Sequence, residues 1–195
     1  YGALNWVDES GDLWLFGGLN FTGQMDGLWR YHIPTNEWTW MKGTIGNTAM
    51  VPGIQGQFDP LNTPGAISEC KSAWVLNNQL WFFGGQNALG EQLGALWCYD
   101  IATNNWCWKS GLTVPYYIGN YGTKGVSSPL NFPPARVSYT NWKDTGNRFY
   151  LFAGDPTYSS SNVGQNDVWR YAPAINEWTW ISGSSTINDL GYGQN

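Results

Sequence analysis

The chain has 195 residues, of which 12% are charged and 17% aromatic, with 14 Trp, 25 Gly and 10 Pro. That balance excludes a disordered segment, and so many turn-forming residues favour numerous short strands over long helices. Nine Lys and Arg against 14 Asp and Glu give a net charge of −5, which provides no basic stripe for nucleic acid or an anionic membrane surface, and no apolar run is long enough to span a bilayer.

Three segments of the chain resemble one another. The first runs from Asn5-Trp6 through Leu13-Trp14-Leu15-Phe16-Gly17-Gly18 and Leu28-Trp29-Arg30-Tyr31 to Asn36-Glu37-Trp38-Thr39-Trp40. The second follows with Ala73-Trp74, Leu80-Trp81-Phe82-Phe83-Gly84-Gly85, Leu96-Trp97-Cys98-Tyr99 and Asn104-Asn105-Trp106-Cys107-Trp108. The third has Asn141-Trp142, Phe149-Tyr150-Leu151-Phe152-Ala153-Gly154, Val168-Trp169-Arg170-Tyr171 and Asn176-Glu177-Trp178-Thr179-Trp180. Trp29, Trp97 and Trp169 are separated by 68 and 72 residues, a period that marks repeated supersecondary units.

Each period predicts four strands. The first ends at a turn (Glu9-Ser10-Gly11-Asp12, Asn77-Asn78 or Thr145-Gly146-Asn147), the second ends in the Gly pair, and the third and fourth form a hairpin around four residues such as 33–36. Loops of that length are usually built on a type I turn, where Pro and Asn are favoured. Four antiparallel strands per repeat describe a propeller blade, so the prediction is all-β, with blades over about 1–67, 68–136 and 137–195.

The Gly pair, the Tyr about a dozen residues later and the Trp seven residues beyond it resemble the kelch repeat. The repeat-defining positions are Gly17, Gly18, Trp29, Tyr31 and Trp38; Gly84, Gly85, Trp97, Tyr99 and Trp106; and Gly154, Trp169, Tyr171 and Trp178. The long spacing, together with the tract Tyr121-Gly122-Thr123-Lys124-Gly125-Val126 followed by Asn131 and Pro134-Ala135-Arg136, resembles the extended kelch repeats of secreted and cell-surface proteins and of the galactose oxidase central domain. The resemblance implies binding or assembly rather than catalysis. Expected partners are a protein or glycan, and further blades or a second copy of the chain. The compartment it implies is extracellular or cell-surface. An intracellular substrate adaptor, or a fragment of a propeller enzyme with its active-site residues in other blades, are the alternatives.

Propellers have about four to eight blades. Three blades should therefore expose an apolar face at each end of the array. The chain opens on Tyr1-Gly2 rather than Met and reads as a mature piece or a fragment. It is expected to be half of a six- or seven-bladed ring, completed either by sequence elsewhere or by a second copy joined head to tail.

Chemistry-bearing residues are few. His32 is the one histidine and sits beside a hairpin turn. One His cannot build a zinc or copper site, and the His and Tyr copper ligands that the galactose oxidase resemblance would require are absent, so no cofactor and no catalytic residue is expected. Arg136 with Glu69 could contribute to an axial site. Strand polarity places the second-to-third-strand loops (19–27, 86–94 and 155–166) on one rim with the long interblade linkers such as 109–136, and long loops on a rigid scaffold are where binding usually resides. Tyr116, Tyr117, Tyr121 and Arg136 are the candidate binding residues of that rim. Asn20-Phe21-Thr22 is an N-glycosylation sequon on one of its loops.

Cys98 and Cys107 take the slots filled by Arg30 with Thr39 and by Arg170 with Thr179. If Tyr99 pairs with Trp106, the two cysteines lie directly opposite on the hairpin face turned away from the tryptophans. Antiparallel Cα separations of about 4.5–5.5 Å fall inside the range a disulfide accepts. A Cys98–Cys107 bridge is the expectation, with Cys70 a free, packed residue. Such a bridge would imply an oxidising compartment.

Overall fold

Short runs in which large aromatics alternate with other residues suit a pleated strand, since successive side chains leave opposite faces and bulky rings pack well on a sheet. The computed structural model describes residues 1–44, 46–156 and 164–186, and no helix occurs among them. The first repeat contains β1 (Leu4–Val7), β2 (Leu13–Phe16), the small ribbon β3 (Leu19–Asn20) and β4 (Gly23–Gln24), then β5 (Leu28–His32) and β6 (Glu37–Lys42). The second contains β7 (Ile67–Ser68), β8 (Trp74–Leu76), β9 (Gln79–Phe83), β10 (Gln86–Asn87), β11 (Leu96–Asp100) and β12 (Asn105–Ser110). The third contains β13 (Thr140–Lys143), β14 (Phe149–Gly154), β15 (Gln165–Ala172) and β16 (Glu177–Ser182). Three four-stranded antiparallel sheets result, in the orders β1-β2-β5-β6, β8-β9-β11-β12 and β13-β14-β15-β16.

The turns explain why the strands end where they do. In the second sheet Asn77 and Asn78 both adopt positive φ, 53° and 57°, the conformation of a two-residue type I′ hairpin. The first and third sheets use longer turns organised by a carboxylate. Asp8 accepts from the Ser10 and Asp12 amides and from Trp14 Nε1; Asp144 accepts from the Gly146 and Arg148 amides and from the Tyr150 hydroxyl. At each third-to-fourth-strand hairpin an Asn closes the turn at positive φ: Asn36, Asn104 and Asn176, at 58°, 58° and 56°. The hydroxyl of the strand Tyr donates to that Asn in every copy, from Tyr31 to Asn36, Tyr99 to Asn104 and Tyr171 to Asn176. Tyr and Asn recur five residues apart in all three repeats, and that spacing is the sequence signal for the clamp.

The sheets stack face to face. One face of the first sheet (Leu4, Trp6, Trp14, Phe16, Leu28) packs on Leu80, Phe82, Trp97, Tyr99 and Trp106 of the second. The opposite face of the second (Trp74, Trp81, Phe83, Leu96, Cys98) packs on Phe149, Leu151, Trp169, Tyr171 and Trp178 of the third. The middle sheet is therefore covered on both sides. The face of the second sheet turned away from Trp97 and Trp106 is thus the next junction, and Cys98 and Cys107 are both wholly buried.

The glycine pair permits this close approach. Gly17 and Gly18 have φ of 68° and 93°. The Gly18 amide donates to Ile67 O across the junction at 2.8 Å, and a Cβ on Gly17 would lie 2.3 Å from that same carbonyl oxygen. Gly85 repeats the bond to Arg136 O at 3.3 Å. In the third sheet the slot of Gly17 is Ala153, at φ 58°, a left-handed conformation that costs an L residue roughly 1–2 kcal/mol.

Linkers also close sheet edges. Gly56 N donates to Trp108 O and Asp59 N to Trp106 O; Gly125 N donates to Trp180 O and Ser128 N to Trp178 O. Buried Asn62 and Asn131 add side-chain bonds to Trp106 O and Trp178 O. Each long linker thus caps the outer strand of the sheet it leads into.

Candidate functional site

The ends of the linkers meet the second-to-third-strand loops and build one rim. Leu19 N donates to Tyr1 O at 2.7 Å and Asp155 N to Val137 O at 2.9 Å, while β7 pairs with β10 in the same place of the middle repeat. Between these contacts lies an open hollow of about 740 Å³, lined among others by Gln24, Glu69, Gln86, Leu89, Tyr116 and Asp155.

Tyr116 is the candidate rim residue that faces this hollow. Its backbone is left-handed, at φ 56°, its amide donates to Gln92 O at 3.0 Å and its hydroxyl to Gly90 O at 3.2 Å, yet its side chain is 49% exposed. A bulky residue at positive φ is a strained position held by its surroundings.

Of the other three candidates Arg136 is wholly buried, which corrects its assignment to a binding surface. Tyr117 and Tyr121 are half-buried: they anchor the linker and also line a smaller hollow of about 290 Å³ beside Tyr116. Tyr117 donates to Gly94 O at 2.6 Å and packs its ring on Phe132. Tyr121 packs against Trp169 and Trp180, with centroids 5.0 and 5.1 Å away, and its hydroxyl donates to Asp167 at 2.7 Å. Arg136 has no exposed surface and makes a bidentate pair with Asp167, at 2.7 and 2.8 Å, with a further bond to Ala153 O. Asp167 also accepts from Trp169 Nε1 at 2.8 Å. Burial works to raise the Asp167 carboxyl, but the Arg136 charge and the hydrogen bonds from Arg136, Tyr121 and Trp169 outweigh it and hold the group below its ordinary value. Glu69 does not join Arg136: it lines the hollow and pairs with Lys71 at 3.6 Å.

Stacked four-stranded sheets, edges capped by linkers and one loop-built rim define the architecture. Among solved structures, that of YjhT matches it with a TM-score of 0.62 at 12% sequence identity, over 95% of this chain and 52% of that one. The fold is that of a β-propeller. The chain spans about half the length of that structure. No family model and no curated protein matches the chain.

Within the propeller blades the repeat-defining tryptophans take two different environments. Trp97, Trp106, Trp169 and Trp178 are buried between blades, whereas Trp29 and Trp38 of blade one lie on an uncovered end face, 40% and 56% exposed. The expected exposure of apolar end faces is thus present.

The hairpin register places Cys98 opposite Cys107, and Tyr99 opposite Trp106. The expected bridge is not formed: both are thiols, as is Cys70. Each has another partner, Cys98 Sγ donating to Gln79 Oε1 at 3.3 Å and Cys107 Sγ to Trp108 O at 3.5 Å. Burial raises both thiols above their ordinary values, against the opposing charge of Lys109, which suppresses the thiolate that disulfide chemistry requires. The argument for an oxidising compartment loses this support. Asn20 is exposed on the rim, its side-chain oxygen accepting from the Thr22 amide and hydroxyl at 2.8 and 2.7 Å. His32 pairs opposite Glu37 and contacts Asp12 at 2.6 Å. No group of three or more His, Cys, Asp or Glu that could hold a metal occurs among the described residues.

Proposed function

We propose that the chain is a kelch-type propeller module that binds a protein or glycan at the loop rim, outside the cell or on its surface, with Tyr116 as the central contact. The supporting observation is the combination at Tyr116: a strained left-handed backbone fixed by two hydrogen bonds, and a half-exposed ring over a hollow lined by Glu69, Gln86 and Asp155. An aromatic ring beside hydrogen-bonding side chains suits the apolar and polar faces of a sugar, or an amphipathic protein side chain. The exposed sequon at Asn20 fits the extracellular placement.

The experiment is binding of the fluorescently labelled chain to a glycan array and to intact cells, compared with Tyr116→Ala. Loss of about tenfold or more in affinity at unchanged unfolding midpoint is expected, in line with removal of an interface aromatic. Wild-type binding by Tyr116→Ala, with loss instead on substituting Ser10 or Thr145 at the opposite rim, would sink the assignment.

A second reading, an intracellular substrate adaptor, draws on the three unbridged thiols. Intact mass of native material before and after deglycosylation separates the two: a glycan on Asn20 supports the extracellular reading and opposes the adaptor.

A further inference from the structure

We infer that the hollow between blades two and three, on the rim opposite Tyr116, binds an organic carboxylate through Trp81 and Lys109. This inference is independent of the loop-rim reading, and both walls of the hollow belong to an internal junction.

The hollow has a volume of about 530 Å³ and lies where the first-to-second-strand turns of both blades meet the last hairpin turn of blade three. Leu76, Pro173 and Ile175 supply an apolar wall. The charged lining is Lys109 and Arg148, with no Asp or Glu among the described lining residues. In a chain of net charge −5 this is a local reversal of sign, and a hollow lined by cations concentrates anions. Arg148 is held at Nε by Asp144 at 2.7 Å, whereas Lys109 pairs with no carboxylate among the described residues. The Lys109 ammonium stands 4.6 Å from the Phe58 ring centroid and 5.6 Å from that of Trp81.

The slot that Trp81 fills points to a carboxylate in particular. Trp14, Trp81 and Tyr150 are equivalent, since they pair with Arg30, Cys98 and Arg170, the same position of each third strand. In blades one and three the polar group of this slot donates to the carboxylate of its own turn, Trp14 Nε1 to Asp8 at 2.8 Å and the Tyr150 hydroxyl to Asp144 at 2.9 Å. Blade two has the short Asn77-Asn78 turn instead, which brings no carboxylate. The Trp81 ring keeps the place of its counterpart, 6.0 Å from Tyr171 as Trp14 is 5.7 Å from Tyr99. Yet Trp81 is only 4% exposed and its Nε1 has no hydrogen-bond partner among the described residues.

A buried donor without an acceptor is destabilising, and a charged acceptor relieves it best. A ligand carboxylate standing where Asp8 stands in blade one would accept from Trp81 Nε1 and meet the Lys109 ammonium. Gln79 also lines the hollow; its Oε1 already accepts from Cys98 Sγ at 3.3 Å, so its NH2 group is what it offers a ligand. The apolar wall takes the hydrocarbon part. A free short-chain acid and the acidic side chain of a partner peptide present this same group.

The test is proton–nitrogen correlation spectroscopy of the chain, titrated separately with isovalerate, isovaleramide, inorganic phosphate and a capped pentapeptide carrying one central glutamate. Trp81→Phe identifies the Trp81 indole signal by its disappearance. Lys109→Gln, at a half-buried position, removes the charge and leaves the donor. A saturable shift of the Trp81 indole signal is expected with isovalerate or the peptide, with affinity lowered about tenfold or more in Lys109→Gln. Isovaleramide should leave the signal in place. Tighter binding of the peptide would assign the carboxylate to a partner's acidic side chain, and tighter binding of isovalerate to a free acid. No saturable shift with either carboxylate, an equal response to isovaleramide or phosphate, or affinity unchanged in Lys109→Gln would overturn the inference.

Discussion

Asp167→Asn is expected to cost about 3–5 kcal/mol of stability, because it leaves the Arg136 guanidinium buried without its counter-charge. Arg136 has no exposed surface, and Asp167 has none either. Their two short bonds join the linker into blade three to the start of its third strand, 31 residues apart in sequence. Arg136→Met should cost a similar amount. The pair Arg136→Met with Asp167→Leu should recover most of the loss, since removing both charges removes the burial penalty with the attraction. The pH dependence follows from the direction of the shift. A carboxyl held below its ordinary value in the folded state contributes its full stability above the usual range of about 4 and loses it as pH falls through the folded value. Acid should therefore destabilise the wild type more steeply than the double variant. Urea unfolding across pH measures both effects, and a single-variant loss below about 1 kcal/mol, far short of the cost of an unpaired buried charge, would show that the pair carries little.

Gly17→Ala is the second large effect expected, at about 3 kcal/mol or more, as befits strain and overpacking combined. One part is the left-handed backbone at φ 68°, which costs an L residue about 1–2 kcal/mol. The rest is steric: the new Cβ would sit 2.3 Å from Ile67 O, so blade two must shift away from its hydrogen bond to Gly18. Gly11→Ala isolates the first part. Gly11 has φ 89°, and an added Cβ would meet no heavy atom within 4 Å, so its substitution should cost only about 1 kcal/mol. Chemical denaturation of the two variants checks the contrast. Equal losses would mean that the close approach of the blades contributes nothing.

The strands were legible because turn residues bracket every run and the aromatic alternation fixes which residues share a face. The Cys98–Cys107 register was legible for the same reason: once Tyr99 faces Trp106, the hairpin leaves no other pairing. Alternation gives two faces but does not say that both are covered, so it could not place Cys98 in the junction between blades two and three. The linkers have no period to read. Tyr116, Tyr117 and Tyr121 look alike in sequence, and only the fold shows that Tyr116 is the most exposed of them while Tyr117 and Tyr121 also anchor the linker. Arg136 resembled a rim cation because its partner, Asp167, lies beyond the next loop, in a slot that blades one and two fill with Gly27 and Ala95.

The central claim is that one aromatic set stacks each blade on the next, and a double-mutant cycle across the first junction tests it most directly. Phe16 and Trp106 belong to different blades, 90 positions apart in the chain numbering, with ring centroids 5.0 Å apart. Phe16→Leu and Trp106→Leu, singly and together, should give a coupling energy of about 0.5–1.5 kcal/mol in urea unfolding, the range for an aromatic pair in contact. Losses that add with no coupling would contradict the stacked-blade arrangement.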